Sequence, residues 1–467
     1  MTSLGHNNGP RWEVELHPYQ DEAIEFIHAN PRCALWIDMG LGKTVSVLTV
    51  IRDLLRDKAI NRVLVVAPLK VATQTWPREM RDWRHLDRID YTVIRDKDLH
   101  VRTQLAQSKS RVHVINREML EWLVSLWAAA KRWPYDMIVI DESSSFKDHT
   151  TTRFKAMKMV RRLARRMVHM TASPAAESYM GLFAQFYLLD GGERFGNSIT
   201  DFRETYFKHN PYTKGYTLLP EKKTEIMEKI ADITLVMEAK DYHDLDEPVF
   251  LPRRLTLEPH ELKAYKKFER TLILTLPGEE DIEALTAAAL SQKLLQAASG
   301  AVYDASKKAV PFHNHKIESI KELVEELDGS PLMVAYWFKS SRERLVKAFP
   351  QATVMDRAGE AVDAWNEGKI PILIVHPQSA GHGLNMQYGP GHDLAIFDLW
   401  WSGELWWQLI RRLARQGQQN VVRVHPFIME NTHDEDAIAA QDAKGRDESE
   451  LKAAVKRIRD RIRRTGR

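Results

Sequence analysis

The sequence predicts an α/β protein built as two parallel-sheet lobes with helical insertions between them, on three observations. Short, continuously apolar runs alternate with helical patterns, as strands buried on both faces of a parallel sheet require. The runs fall into two separate blocks, with a long helix-patterned stretch between them. The first run leads directly into a glycine-rich loop, Asp38-Met39-Gly40-Leu41-Gly42-Lys43-Thr44, and a helical pattern (Val45, Leu48, Ile51, Leu55) leaves it.

The first block places strands near 34–37, 63–67, 112–115, 137–140 and 167–170. The second places them near 332–336, 372–375, 394–397 and 421–427. From 181 to about 316 the pattern is mostly helical, broken at Pro211, Pro220, Pro248, Pro252 and Pro277. The expected domains are therefore a first, nucleotide-binding lobe over 1–180, helical insertions and linker over 181–315, a second lobe over 316–435 and a basic helix over 436–467. A length of 467 residues suits several domains. The net charge of +3 is too small to argue for a nucleic-acid partner, so local charge must do so. Cys33 is the only cysteine, which excludes an internal disulfide and a four-cysteine zinc site. It reads as a small buried hydrophobe in a reducing compartment. The apolar runs are too short to span a bilayer, and residues 1–10 have no signal-peptide core, so a cytoplasmic protein without a membrane partner is expected.

Strand, glycine loop and helix in that order aim backbone N–H groups and a positive helix end at phosphates. In ATP, Lys43 would reach the β and γ phosphates, and the Thr44 hydroxyl would ligate Mg²⁺. The run 137–140 ends in Asp141-Glu142, two carboxylates at the C-terminal edge of a parallel sheet, where such sheets bind ligands. Asp141 would hold Mg²⁺, and Glu142 would orient or deprotonate the attacking water. Thr171-Ala172-Ser173-Pro174 follows the next run, and its hydroxyls are candidates for bonds to the Asp-Glu pair. In the second block, Gln408, Arg412 and Arg415 lie at spacings that share one helix face. Arginines of that kind neutralise charge on a transferring γ-phosphoryl group, an effect worth roughly 10³–10⁵ in rate. A solvated basic face is the plain alternative.

Together these motifs resemble a minimal SNF2-type ATPase of helicase superfamily 2. The family's DxGLGKT loop is matched by Asp38, Gly40, Leu41, Gly42, Lys43 and Thr44. Its QAxxRxxRxGQ signature is matched by Gln408, Arg412, Arg415, Gly417 and Gln418. Leu16-His17-Pro18-Tyr19-Gln20 resembles the adenine-reading segment, with Gln20 as its glutamine. Val65-Val66-Ala67-Pro68-Leu69 followed by Trp76 resembles the segment that contacts one DNA strand, with Lys70 and Thr73 as contact candidates. Ser379-Ala380-Gly381-His382-Gly383-Leu384-Asn385 resembles the loop that couples DNA to the second lobe, with Ser379 and Gly381 as candidates. The Asp-Glu-Ala-His box reads Asp141-Glu142-Ser143-Ser144 here. The small phage and bacterial members are the nearer likeness, so a phage-encoded copy would work in the bacterial cytoplasm. The resemblance implies two RecA-like lobes, ATP and Mg²⁺ as cofactors, and ATP-driven tracking along double-stranded DNA. A nuclease or replication and recombination partner is left unnamed by it. A strand-separating DNA or RNA helicase, and an ATP-gated DNA-binding scaffold, are the competing readings.

Local charge adds a second DNA-facing candidate. Arg153, Lys155, Lys158, Arg161, Arg162, Arg165 and Arg166 occur with no acid between 150 and 170, which suits phosphate contacts. The basic tail reads as either a DNA-binding extension or a frayed helix. Trp400, Trp401, Trp406 and Trp407 fit core packing better than a base-stacking platform. His313-Asn314-His315 reads as a loop, not a nuclease motif.

Overall fold

The structure, a computed structural model, describes residues 15–175, 178–211, 215–242, 247–274, 282–283, 286–355, 361–380 and 385–465. It divides into two compact units, Met1–His243 with Asp447–Arg467, and Asp244–Arg446.

The first unit is organised on a seven-stranded sheet. In chain order its strands are β1 Arg32–Ile37, β2 Val63–Ala67, β3 Tyr91–Val93, β4 Val112–Asn116, β5 Met137–Asp141 and β6 Arg166–Thr171; the hairpin β7 Phe207–His209 and β8 Tyr216–Leu218 stands apart, and β9 Thr234–Met237 completes the sheet. The spatial order is β3-β4-β2-β5-β6-β1-β9, and every pairing is parallel. Five of these strands coincide with the five apolar runs. Alternate residues feed opposite faces: Ala34, Trp36, Leu64 and Val66 join one apolar core, while Cys33, Leu35, Ile37, Val63 and Val65 join the other. That period of two within uninterrupted apolar sequence is what a doubly covered parallel sheet demands. Cys33 is fully buried, and burial pushes its thiol up to about 12. β9 lies beyond residue 180, so the sheet draws in a strand from the stretch that reads as insertion.

The second unit holds β10 Val249–Phe250, β11 Arg253–Leu255, the hairpins β12 Ile273–Leu274 with β13 Ile282–Glu283 and β14 Ala301–Tyr303 with β15 Ala309–Pro311, and then β16 Leu332–Ala335, β17 Thr353–Val354, β18 Ile372–Val375, β19 Asp393–Ile396 and β20 Arg423–Met429. Its sheet runs β10-β20-β19-β16-β18-β17, again all parallel, with β11 also on β20. The stretch 181–316 is thus less helical than its pattern suggests, because its prolines separate short strands as well as helices. Trp400 and Trp406 are buried in this unit's core, their rings 5.5 Å apart, and Trp337 stacks on Trp400 at 5.6 Å.

One buried ion pair ties the second unit together. Lys316 Nζ lies 2.7 Å from Asp434 Oδ2 and donates to the Phe397 carbonyl at 3.1 Å, while Met429 N donates to Asp434 at 3.0 Å. Both side chains are fully buried. The chain ends in a 33-residue helix, His433–Thr465. From Asp447 onward it belongs to the first unit, where Leu451 and Val455 are fully buried in the core. The tail is therefore a packed element and not a frayed one. Among the described residues, no helix is long and apolar enough to cross a membrane.

Removing one partner of a buried pair leaves the other charge uncompensated. Lys316→Ala should destabilise the protein by about 3–5 kcal/mol, read from urea unfolding followed by tryptophan fluorescence. An unchanged midpoint would show that the pair holds nothing together.

Candidate nucleotide site

The phosphate loop begins where β1 ends. Residues 38–42 turn the chain into the helix Lys43–Arg56, with Gly40 at φ 94° and Gly42 at φ 72°. The left-handed backbone at position 42 favours glycine, and a Cβ there would sit 1.9 Å from Gln20 Nε2 and displace that amide. Gln20 is buried at the start of the helix Pro18–Ala29, and its Oε1 accepts from His17 N at 2.9 Å. The segment that reads as adenine-sensing therefore meets the loop. The first turn of the helix Lys43–Arg56 carries no acid of its own.

Lys43 Nζ donates to the carbonyls of Ile37 at 2.6 Å and Asp38 at 3.3 Å, folded back under the loop. Burial pulls its amine down to about 8. Glu142, Asp141 and Asp38 oppose that shift, and Lys452 adds to it. Thr44 follows in the first helical turn, half-buried.

The carboxylates come from β5. Asp141 pairs with Met170 on β6, and Thr171 pairs with Trp36 on β1, so the ends of β5, β6 and β1 share one edge. Asp141 Oδ2 accepts from Trp76 Nε1 at 2.9 Å, and its Oδ1 accepts from Glu142 N at 3.0 Å. Burial holds Asp141 above the usual carboxylate range, while the Trp76 N–H and Lys43 pull it back. Glu142 itself adopts φ 55°, ψ 59°, a left-handed conformation unusual for a residue with a side chain.

Trp76 and Gln185 hold this edge together, and the motif reading assigned neither that role. Trp76 is fully buried and bonded to Asp141, so its side chain is not presented at the surface. Lys70 and Thr73 are half-buried, at and just inside the π-helical turn Val71–Thr75 that follows β2. Ser143 Oγ donates to Gln185 Oε1 at 3.1 Å, and Gln185 Nε2 donates to the Pro174 carbonyl at 2.9 Å. Thr171 Oγ1 instead accepts locally from Ser173 N. The link between the Asp-Glu pair and the segment 171–174 thus runs through Gln185. A lone glutamine in the apolar helix Met180–Asp190 was the available signal.

The cationic stretch after β5 splits into two groups. Arg161 is buried and donates to the carbonyls of Leu188 and Leu189, and Arg166 donates to those of Ile27 and His28. Arg165 pairs with Asp136, and Lys158 lies 4.7 Å from the Tyr187 ring centroid. Arg161 and Arg166 thus serve the fold, while Lys158 and Arg165 stay exposed. Arg153 is half-buried, and Lys155 and Arg162 are exposed.

In the second unit, the helix Gly403–Leu413 is capped by Ser402 and carries Gln408 and Arg412, both buried. Gln408 Nε2 donates to Glu404 Oε1 at 3.2 Å. Arg415 is not on that helix: Ala414 leaves the helical region, at ψ 78°, and Arg415 Nη1 donates to Asn385 Oδ1 at 2.8 Å. The shared helix face expected for the three side chains therefore stops at Arg412. Ser379 lies half-buried in the short helix Pro377–Ala380, and Gly381 lies outside the described residues. His313 is buried, and His315 Nε2 lies 2.6 Å from Glu261 Oε2. Among the described residues no cluster of His, Cys, Asp and Glu could hold a metal ion by itself.

Residues 19–305 match the model of the SNF2-related domain. Protein p41 of Acyrthosiphon pisum secondary endosymbiont phage 1 is 34% identical over 456 residues, which is 94% of this chain and 98% of that protein. The chain belongs to the SNF2-related family. It is accordingly an ATP-hydrolysing enzyme of the helicase type. It is also 22% identical over 454 residues to the SWI/SNF-related matrix-associated actin-dependent regulator of chromatin subfamily A-like protein 1 of Xenopus tropicalis, covering 90% of this chain but 43% of that protein's length. The Sulfolobus solfataricus SWI2/SNF2 ATPase core in complex with dsDNA is 20% identical, with a TM-score of 0.45 over 90% of this chain and 89% of that one.

A pH dependence follows from the depressed amine of Lys43. Only the ammonium form attracts phosphate, so nucleotide affinity is full below about pH 8 and falls as pH rises through it. Titration with a fluorescent ATP analogue between about pH 6.5 and 9.5 should show the loss approaching tenfold per pH unit at the alkaline end. A flat profile would remove Lys43 as the titrating phosphate partner.

Proposed function

We propose that this SNF2-family enzyme hydrolyses ATP with Mg²⁺ and uses the energy to translocate on double-stranded DNA. The observation that carries the catalytic part is the meeting, at one sheet edge, of the loop that begins at Asp38, Lys43, Asp141 and Glu142, with Gln20 against Gly42. The residues fit a nucleoside triphosphate: Gly40 and Gly42 adopt the left-handed backbone of a tight loop, and the loop leads into a helix that opens on Lys43. They also fit its metal, since Thr44 supplies a hydroxyl and Asp141 a buried carboxylate already oriented by Trp76. Mg²⁺ held there would offset phosphate charge as the β–γ bond breaks.

Lys43 leaves its two carbonyl partners for the β and γ phosphates. Glu142 orients a water towards the γ phosphorus and accepts its proton, while the bridging oxygen leaves with ADP. Arg412 and Arg415 are assigned, from the motif that carries them, to stabilising charge on the γ-phosphoryl group. Lys70, Thr73, Arg153, Lys155, Ser379 and Gly381 are assigned to the DNA backbone. Contacts of that kind carry no sequence information and suit a tracking motor.

Lys43→Ala should lose nearly all turnover. Glu142→Gln should still bind ATP but hydrolyse it at least about a hundredfold more slowly, as expected for loss of a general base. Arg412→Ala and Arg415→Ala should lower kcat far more than ATP affinity. Wild-type rates in Glu142→Gln would exclude it as the base.

Duplex DNA should stimulate hydrolysis more than single-stranded DNA or RNA. The stimulation should fall steeply with salt, as counterions compete for Lys and Arg contacts. The protein should displace the third strand of a triplex without opening a plain duplex. Unwinding of a forked duplex with no triplex displacement would replace translocation by strand separation.

A further inference from the structure

The C-terminal helix reaches the phosphate loop. Lys452 is 2% exposed, and its Nζ lies 3.0 Å from Asp38 Oδ1 and 3.4 Å from Glu448 Oε1. Asp38 is the residue at which β1 becomes the loop. Its Oδ2 accepts from Ala239 N at 3.1 Å, its N–H donates to the Met237 carbonyl at 2.9 Å, and its own carbonyl accepts from Lys43. The carboxylate is thus held from two sides, by the chain after β9 and by the C-terminal helix. A buried ammonium is costly unless closely paired, and here two carboxylates pair it.

The same stretch of helix is fastened around the nucleotide-reading elements. Arg459 and Arg463 pair with Glu22, two residues after Gln20 on the helix Pro18–Ala29. Lys456 pairs with Asp241 at 2.6 Å, and at the other end Lys223 pairs with Glu450 at 2.6 Å and Asp447 at 3.4 Å. Leu451 and Val455 fix the register of Lys452 by burial in the core.

We propose that Lys452 is a positioning residue of the nucleotide site: by holding Asp38 it sets the start of the phosphate loop before ATP arrives. The inference rests on the ATPase reading above. Preorganising a loop lowers the cost of binding nucleotide and leaves the chemical step alone. Losing Lys452 would free the loop to move, and would leave Asp38 uncompensated beside the Lys43 amine that the phosphates require.

The test uses the full chain, Mg²⁺-ATP turnover and a fluorescent ADP analogue. Lys452→Met should raise KM for ATP and weaken ADP binding by about tenfold, with kcat within about twofold of wild type, the pattern of lost uniform binding. Asp38→Asn should do the same from the loop's side, and serves alone if Lys452→Met does not fold. The double variant should raise KM no further than Lys452→Met alone, because both changes abolish the same Lys452–Asp38 ion pair. Lys223→Ala loosens the same helix away from the loop and should leave KM unchanged. Equal KM shifts in Lys223→Ala and Lys452→Met, or additive effects in the double variant, would overturn the positioning role. Wild-type nucleotide binding in Lys452→Met would do so as well. Failure of the wild-type chain itself to bind or hydrolyse ATP would take down the ATPase reading and this inference together.

Discussion

The site depends on the parallel register of β5, β6 and β1. Pairing Asp141 with Met170 and Thr171 with Trp36 brings three strand ends to one level, so their following loops must meet. A parallel sheet with both faces covered leaves only its edges for chemistry. Here the C-terminal edge receives the loop that begins at Asp38, the Asp141-Glu142 pair and the segment 171–174. A register slip of one residue would reverse the facing of Trp36 and Leu35 between the two cores. The core that makes the sheet unique therefore also fixes the spacing of the loops at this edge.

Desolvation sets the chemistry at that edge. It lowers the amine of Lys43 and raises the carboxyl of Asp141, so burial disfavours the charged form of each. Each opposes the shift in the other. In the function proposed above, phosphate and Mg²⁺ would each favour the charged form of the group that they meet. The pair Lys316–Asp434 meets the same cost without a ligand, through a 2.7 Å contact and backbone partners on both sides.

The strands of both sheets that are uniformly apolar were legible from sequence, as were the phosphate loop and the Asp-Glu pair. In each, one local pattern determines one local structure. What escaped depended on partners distant in sequence. β9 is a four-residue strand whose identity comes from lying beside β1. Arg161 and Arg166 look like solvated cations until the carbonyls they cap are in place. Arg415 follows a helical spacing, but Ala414 ends the helix before it. The tail is half charged by appearance, yet a narrow stripe through Leu451 and Val455 suffices to dock it. Lys452 lies within a basic run, and only its neighbours Asp38 and Glu448 distinguish it from the rest.

Ser143 shows how a motif can change and remain coupled. It is 1% exposed, and a buried hydroxyl without a partner costs free energy. The apolar residue usual at that position would need no partner; Ser143 does, and Gln185 supplies it. Gln185 is itself buried, so its amide must be satisfied too, and the Pro174 and Gly181 carbonyls do that. Ser143, Gln185 and two carbonyls therefore form one buried hydrogen-bonded set. The resulting chain runs from the strained backbone at Glu142 to the segment after β6. A left-handed residue persists only where its surroundings over-determine it. The bond from Glu142 N to Asp141 and the anchoring of Ser143 provide that restraint on either side. Where the family's box has Ala-His, this chain thus has a buried serine that ties Glu142 to Gln185.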